Sequence, residues 1–109
     1  MLALTTRNTL IRKQLLYRGT VNQSSARIAE VMEIPIRTHA AGIILVHNHP
    51  SGEHSPSPED IRFTEELLRA GQMMDISVLD HIIISRKGFS SLRRDGKVQF
   101  KPIIGRKWD

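Results

Sequence analysis

The 109 residues contain no cysteine, one tryptophan, one tyrosine and three phenylalanines. Without thiols, a closed thiolate zinc site is excluded. The absence of cysteine agrees with a reducing cytoplasm, the expected location, although a cysteine-free chain is at home in any compartment. So few aromatics leave little surface for stacking on nucleic-acid bases, and no helix-turn-helix or zinc-finger spacing occurs. No apolar run is long enough to span a bilayer. The first residues show no basic-then-apolar signal pattern, so no membrane association is expected. Internal repeats, linkers and low-complexity segments are also missing. A chain of this length is enough for one compact domain with a real core and too short for two, so residues 1–109 are read as a single domain. Lys and Arg number 16 against 11 Asp and Glu, a net charge of +5, and 25% charged residues is ordinary for a globular protein.

Against that plain background, residues His47 to Asp60 read H-N-H-P-S-G-E-H-S-P-S-P-E-D. The run Ala41 to Val46 before them is continuously apolar, of strand length and rich in β-branched residues, as expected of a strand buried on both faces. In an extended chain, residues two apart point to the same side, so His47 and His49 project together from the strand's carboxyl end while Asn48 points away. A loop with Pro50, Gly52, Pro56 and Pro58 follows, then apolar residues at helical spacing through Ile61, Leu67 and Leu68. Ser57 is a natural N-cap with Pro58 at the first helical position, which puts Asp60 in the first turn. The loop is long enough to bring the Asp60 carboxylate back to the two imidazoles. Two histidine nitrogens and one carboxylate oxygen suit Zn²⁺, and three protein ligands with a fourth position open is the catalytic arrangement.

Simpler readings compete. Ser57 and Asp60 also resemble a capping box with Asp in place of Glu, and an acid at a helix N-terminus is favourable against the dipole without any metal. Paired histidines at a strand end are often only solvated. The joint occurrence of the histidine pair with Pro50, Ser51, Gly52 and a pre-helical Ser57 favours the metal site.

These residues, with Pro56, Val78-Leu79-Asp80-His81 and Ile82-Ile83-Ile84, resemble the RadC-like branch of the JAB/MPN metalloprotease superfamily. The likeness covers nearly the whole chain, including Gly19 to Asn22 and the helix from Arg27 to Glu33. It implies an α/β fold of the cytidine-deaminase-like type, a mixed sheet sandwiched by helices, and a zinc ion held by His47, His49 and Asp60. It also implies that Ser57 orients the zinc-bound water or stabilises the oxyanion formed from the substrate carbonyl. The superfamily's general acid and base is a glutamate at the start of the first core strand. In RadC-like proteins it should lie a few positions before the segment resembling Met1 to Leu4. The expectation is therefore either that these residues are a fragment of a longer protein or that the base is missing. Glu30, on the helix before the histidine strand, is the substitute at hand, and its competing reading is a solvated or helix-orienting acid. Glu53 is nearer in sequence but lies in a loop beside Gly52. The base is left unassigned.

Elsewhere, residues 1–5 and 9–17 read as strands of a hairpin around Thr6-Arg7-Asn8. Ser24 or Ser25 caps a helix to about Thr38 with Ile28, Val31, Met32 and Ile36 on its apolar side, although Pro35 should kink or shorten it. A second helix runs from Pro58 to about Gly71 or Met74, and a second core strand from Ser77 to Ser85. Phe89 to Arg93 and Val98 to Phe100 flank Arg94-Asp95-Gly96-Lys97, a predicted hairpin turn. Asp80 and His81 open the Ile82 to Ile84 strand and either support a ligand histidine from behind or only terminate the strand. His39 fits a structural place at a helix C-terminus, and His54 a solvated loop position.

The activity implied is metal-assisted hydrolysis of an amide, a peptide or isopeptide bond, with a peptide or protein as substrate. A second reading is a nucleic-acid-associated module. RadC-like proteins carry a historical label of DNA repair, and Arg93, Arg94, Lys97, Lys101, Arg106 and Lys107 gather near the C-terminus, a cluster that could also be a solvated tail. A third is a catalytically silent metal-binding scaffold. An exposed edge of the N-terminal hairpin leaves homodimerisation open.

Overall fold

A computed structural model of the protein describes residues 2–4, 10–13, 27–49 and 52–100. Strands β1 (Leu2–Leu4) and β2 (Leu10–Lys13) are antiparallel. Helix α1 (Ile28–Arg37), strand β3 (Gly42–Asn48), helix α2 (Pro58–Met74), strand β4 (Ser77–Ser85) and strand β5 (Gly88–Ser91) follow. They build one five-stranded mixed sheet in the order β2-β1-β3-β4-β5, with only β3 and β4 parallel. The α/β class expected from sequence is the one observed. Among the described residues strand β2 forms one edge of this sheet, and residues 1, 5–9 and 14–17 of the expected hairpin lie outside them.

The β3-α2-β4 unit is the frame of the molecule. Parallel strands cannot be joined by a tight turn, and α2 makes the crossover. Its ends are set locally: Ser57 caps it in an extended conformation with Pro58 in the first turn, and Asp75 closes it in the left-handed region at φ 61°. The Ile76 N–H reaches back to the Gly71 carbonyl. A Cβ at Gly71 would lie 2.4 Å from the Ile76 oxygen, so only glycine permits this return. Val31, Met32 and Ile34 of α1, Ile43 and Leu45 of β3, Phe63 and Leu67 of α2, and Ile76 and Val78 form one core cluster. Ile83, Leu92 and Val98 form a second. Each fully buried aliphatic chain here contributes on the order of 2 kcal/mol.

Helix α1 departs from its sequence reading. It starts at Ile28 after an N-cap, Arg27, whose side chain does not cap the helix, while Ser24 and Ser25 lie outside the described residues. Its buried face carries Val31, Met32, Ile34 and Pro35, and Ile36 is exposed. Pro35 lies inside the helix, which runs on only two residues beyond it to Arg37. His39 sits in the left-handed region at φ 55°. Its N–H and that of Ala40 return to the carbonyls of Ile36 and Pro35, which is a Schellman closure. The structural place expected for His39 is the one it takes.

The hairpin expected across Arg94 to Lys97 does not form. The tight connection is instead Arg86-Lys87 between β4 and β5. Beyond β5 the N–H groups of Asp95, Gly96 and Lys97 bond to the carbonyls of Ser91, Arg93 and Leu92, a run of turns rather than a ladder. Leu92 and Val98 explain the change: both turn inward onto Ile83, so the chain between them coils over the core.

Candidate metal centre

The site lies where the parallel pair ends and α2 begins. The register His47↔Ile83 puts the His47 side chain on the face where Ile83 packs against Ile61 and Leu68 of α2. The His49 N–H bonds to the Ile84 carbonyl at 2.9 Å, which carries the pairing past the strand end. Across from them, the N-terminus of α2 presents Asp60, whose side chain is 0% exposed. Its Oδ1 lies 3.3 Å from His47 Nδ1 and its Oδ2 lies 3.2 Å from His49 Nε2. Each residue offers one ligand atom, and these atoms lie within 4.8 Å of one another. His47, His49 and Asp60 could hold a metal ion.

The capping box is also present. The Asp60 N–H donates to Ser57 Oγ at 3.1 Å, and the Ser57 N–H donates to Asp60 Oδ2 at 2.8 Å. The capping box and a cluster that could hold a metal ion therefore coexist on the same carboxylate. The box aims the carboxylate and occupies part of one oxygen. Oδ1 remains buried with no hydrogen-bond partner. An orphaned carboxylate oxygen in a protein interior costs free energy unless something positive meets it.

His49 sharpens the point. Its Nδ1 is 3.0 Å from the Glu53 carbonyl, and a carbonyl can only accept, so Nδ1 carries the proton. In the neutral ring, Nε2 is then a lone pair facing a carboxylate oxygen at 3.2 Å. Two lone pairs do not attract each other. A cation between them resolves the conflict, and a ligand histidine that donates its second N–H to a backbone carbonyl is the usual arrangement around metals. The donor set fits a metal ion of the kind that takes imidazole nitrogen and carboxylate oxygen, Zn²⁺ among them.

Electrostatics agree. Burial pushes the Asp60 carboxyl up, but the His47 ring beside it and the donated Ser57 N–H more than offset this and hold it well below the usual carboxylate range. The acid is ionised wherever the protein is folded at ordinary pH.

His81 is the residue whose place the sequence left open. It lies in the middle of β4 rather than at its opening, is 1% exposed, and its ring lies roughly parallel to that of His47, with centroids 5.9 Å apart. Burial pushes its imidazole down to about 4, against the pull of Asp60. Its neighbour Asp80 turns to the other face. There it accepts from the His81 N–H at 2.7 Å, the Arg93 N–H at 3.2 Å and the Ser91 hydroxyl. The cause is a register shift between Ile43 and Ile44, after which Asp80 pairs with Ile44 and His81 with Leu45. One extra residue in a strand exchanges its faces.

The remaining candidates fall elsewhere. Glu30 is exposed in the first turn of α1 and is not part of the cluster. The Glu53 carboxylate meets Lys87 at 3.5 Å, so it is the backbone of Glu53 that faces the site. His54 shares a hydrogen bond of 2.7 Å with Ser90, which pins the loop to β5. Of the basic cluster, Arg94 pairs with Asp95 and lies over the Phe89 ring, and Arg93 donates to the Leu79 carbonyl at 3.0 Å. Lys101, Arg106 and Lys107 lie outside the described residues. Among the described residues, no helix is long and apolar enough to cross a membrane.

Comparison with known proteins points the same way. The family model described as the RadC-like JAB domain matches residues 1–97. A UPF0758 protein of Roseiflexus castenholzii is 46% identical over 101 residues, covering 93% of this chain and 43% of that protein. One from Chloroflexus aggregans is 52% identical over 80 residues, 73% of this chain and 35% of that protein. One from Enterococcus faecalis is 42% identical over 92 residues, 84% and 40% of the two chains. The chain thus spans less than half the length of these relatives.

Proposed function

Because the chain belongs to the RadC-like JAB domain family, we propose that it is a zinc-dependent hydrolase of peptide or isopeptide bonds, acting on a peptide or protein in the cytoplasm. His47, His49 and Asp60 are the metal ligands in this reading. The observation that carries it is the opposition of His49 Nε2 and Asp60 Oδ2 at 3.2 Å, with the His49 proton committed to the Glu53 carbonyl. The buried Asp60 Oδ1, which has no hydrogen bond and lies 3.3 Å from His47 Nδ1, supports it as well.

A bound Zn²⁺ supplies Lewis acidity, which polarises a carbonyl and lowers the pKa of water. The chain's own residues do the rest. His49 is held in one tautomer by Glu53, and Asp60 is held in one rotamer by the capping box. Ser57 Oγ accepts the Asp60 N–H, and its own proton is not used in the box. That hydroxyl is the donor placed to meet a substrate oxygen as negative charge develops on it. The general base remains unassigned, and Glu30 takes no role in this reading.

The test is elemental analysis of the purified protein and of His49→Ala, both prepared without an affinity tag. About one zinc per chain in the wild type, lost in the variant, is the expected result. Amide hydrolysis should then disappear with chelation and return with zinc. A wild type that neither contains zinc nor takes it up would overturn the proposal.

A further inference from the structure

His81 is not a ligand in the reading above, yet it is a fully enclosed polar side chain beside the site. Its protonation can be worked out by counting hydrogens. Thr64 has a single hydroxyl proton, and it donates that proton to the Asp60 carbonyl at 2.8 Å. The same Thr64 oxygen lies 2.6 Å from His81 Nδ1. The proton in this second bond must therefore come from the ring, so Nδ1–H donates to Oγ1. The chain of donors runs from His81 through Thr64 to the backbone of Asp60, the residue whose carboxylate faces both ligand imidazoles. His81 Nε2 is buried without a hydrogen-bond partner, which fits a bare nitrogen better than a stranded N–H.

The ring is itself immobilised. His81 sits mid-strand, with its N–H bonded to Asp80 and its carbonyl accepting the Leu92 N–H at 3.0 Å. It touches the site twice, lying against the His47 ring directly and reaching the Asp60 turn of α2 through Thr64.

We propose that His81 and Thr64 are positioning residues for the metal centre: they tie the first turn of α2 to β4 and so set the separation between the Asp60 carboxylate and the histidine pair. This rests on the ligand assignment of the preceding section. If the His81–Thr64 bond were only a stabilising contact, breaking it would lower the melting temperature and leave metal affinity unchanged. As positioning residues, the pair controls affinity in protein that is still folded.

The experiment measures the zinc dissociation constant by competition with a chromophoric chelator, on variants shown to be folded by circular dichroism. Thr64→Val and His81→Phe should weaken binding by about 10- to 100-fold, whereas Thr64→Ser, which keeps the hydroxyl, and His81→Asn, whose amide N–H can replace Nδ1–H, should stay within about threefold of wild type. Affinity unchanged in Thr64→Val and His81→Phe would overturn the proposal, even with lowered melting temperatures. So would His81→Asn binding as weakly as His81→Phe. Nitrogen-15 NMR of the histidine-labelled wild type gives a check that needs no variant to fold. His81 should show a protonated Nδ1 and an unprotonated Nε2, and the opposite tautomer would overturn the proposal. A wild type that binds no zinc would remove the ligand assignment itself. That outcome differs from tight binding insensitive to Thr64, which would remove only this inference.

Discussion

Asp80 collects the N–H of His81, the N–H of Arg93 and the Ser91 hydroxyl, two backbone donors and one side-chain donor from β4, the turn after β5 and β5. Asp60, on the face covered by α2, receives a single N–H from Ser57 on one oxygen, while the other oxygen has no hydrogen bond and both face imidazole nitrogens. The contrast is the one expected between a structural carboxylate and the metal ligand proposed at Asp60. A carboxylate that exists to hold a fold together is saturated by protein donors, because each one that is missing costs about 1–3 kcal/mol. A carboxylate that exists to meet a cation is aimed by the protein and then left short of donors.

Exchanging the two acids for amides should break the symmetry of this comparison most visibly. Asp60→Asn keeps an acceptor for the Ser57 N–H and removes the charge. Zinc content should fall from about one per chain to background, while the metal-free fold loses no more than about 1 kcal/mol. Elemental analysis and urea denaturation in chelator report the two quantities separately. An Asp60→Asn protein that retains zinc would make Asp60 a cap and nothing more.

Acid should also act unequally on the two faces. His81 is held neutral by burial, with its folded value near 4 against an ordinary 6.5. Between those values the unfolded chain takes up a proton that the folded one refuses, so stability is complete above about pH 6.5 and declines as pH falls toward 4, by up to about 3 kcal/mol. Asp60 adds nothing in this window, because a depressed carboxyl loses its contribution only below its unfolded value. Urea midpoints against pH, in chelator, should show the slope in wild type and its absence in His81→Asn. A slope surviving in His81→Asn would assign it to another group.

Asp80→Asn is the converse of the first exchange. The amide oxygen can keep the His81 and Arg93 N–H groups, but the amide N–H then meets the Ser91 hydroxyl that donates to the second oxygen, so the expected cost is about 1–3 kcal/mol of stability with zinc content unchanged. Loss of zinc at full stability would place Asp80 among the groups that serve the metal.

How far the two faces could be told apart beforehand depends on what is local. The start of α2 was legible because Ser57 and Pro58 are themselves the cap and the first turn, its end was bracketed between Gly71 and Met74, and β4 was legible from the apolar residues on both sides of Asp80 and His81. The meeting of His47, His49 and Asp60 was legible for the same reason: a two-residue strand period and a capped helix start determine it. The facing of Asp80 and His81 was not legible, since it hangs on a register shift against β3, a pairing between strands that no window around residue 80 contains. The turn at Arg94 to Lys97 failed similarly. Asp95-Gly96 has hairpin chemistry, but burial of Leu92 and Val98 on Ile83 decided the path. In α1 the expected apolar side included Ile36, but Ile34 and Pro35 take the buried places, because helical spacing alone does not decide which of three adjacent apolar residues faces the core.

The smallest effect expected is also the one that divides backbone from side chain at the site. Glu53 stands beside both ends of the question: its carbonyl fixes the His49 tautomer and its carboxylate reaches Lys87. The pair with Lys87 is largely exposed on both sides, with side chains 72% and 68% accessible. Such pairs are worth from nothing to about 1 kcal/mol, and salt screens them. Glu53→Ala removes the carboxylate and keeps the carbonyl. Stability should therefore change by less than about 0.5 kcal/mol, and zinc affinity by less than about threefold. If the affinity drops further, the Glu53 carboxylate acts at the centre directly, and the carbonyl alone does not account for how His49 is held.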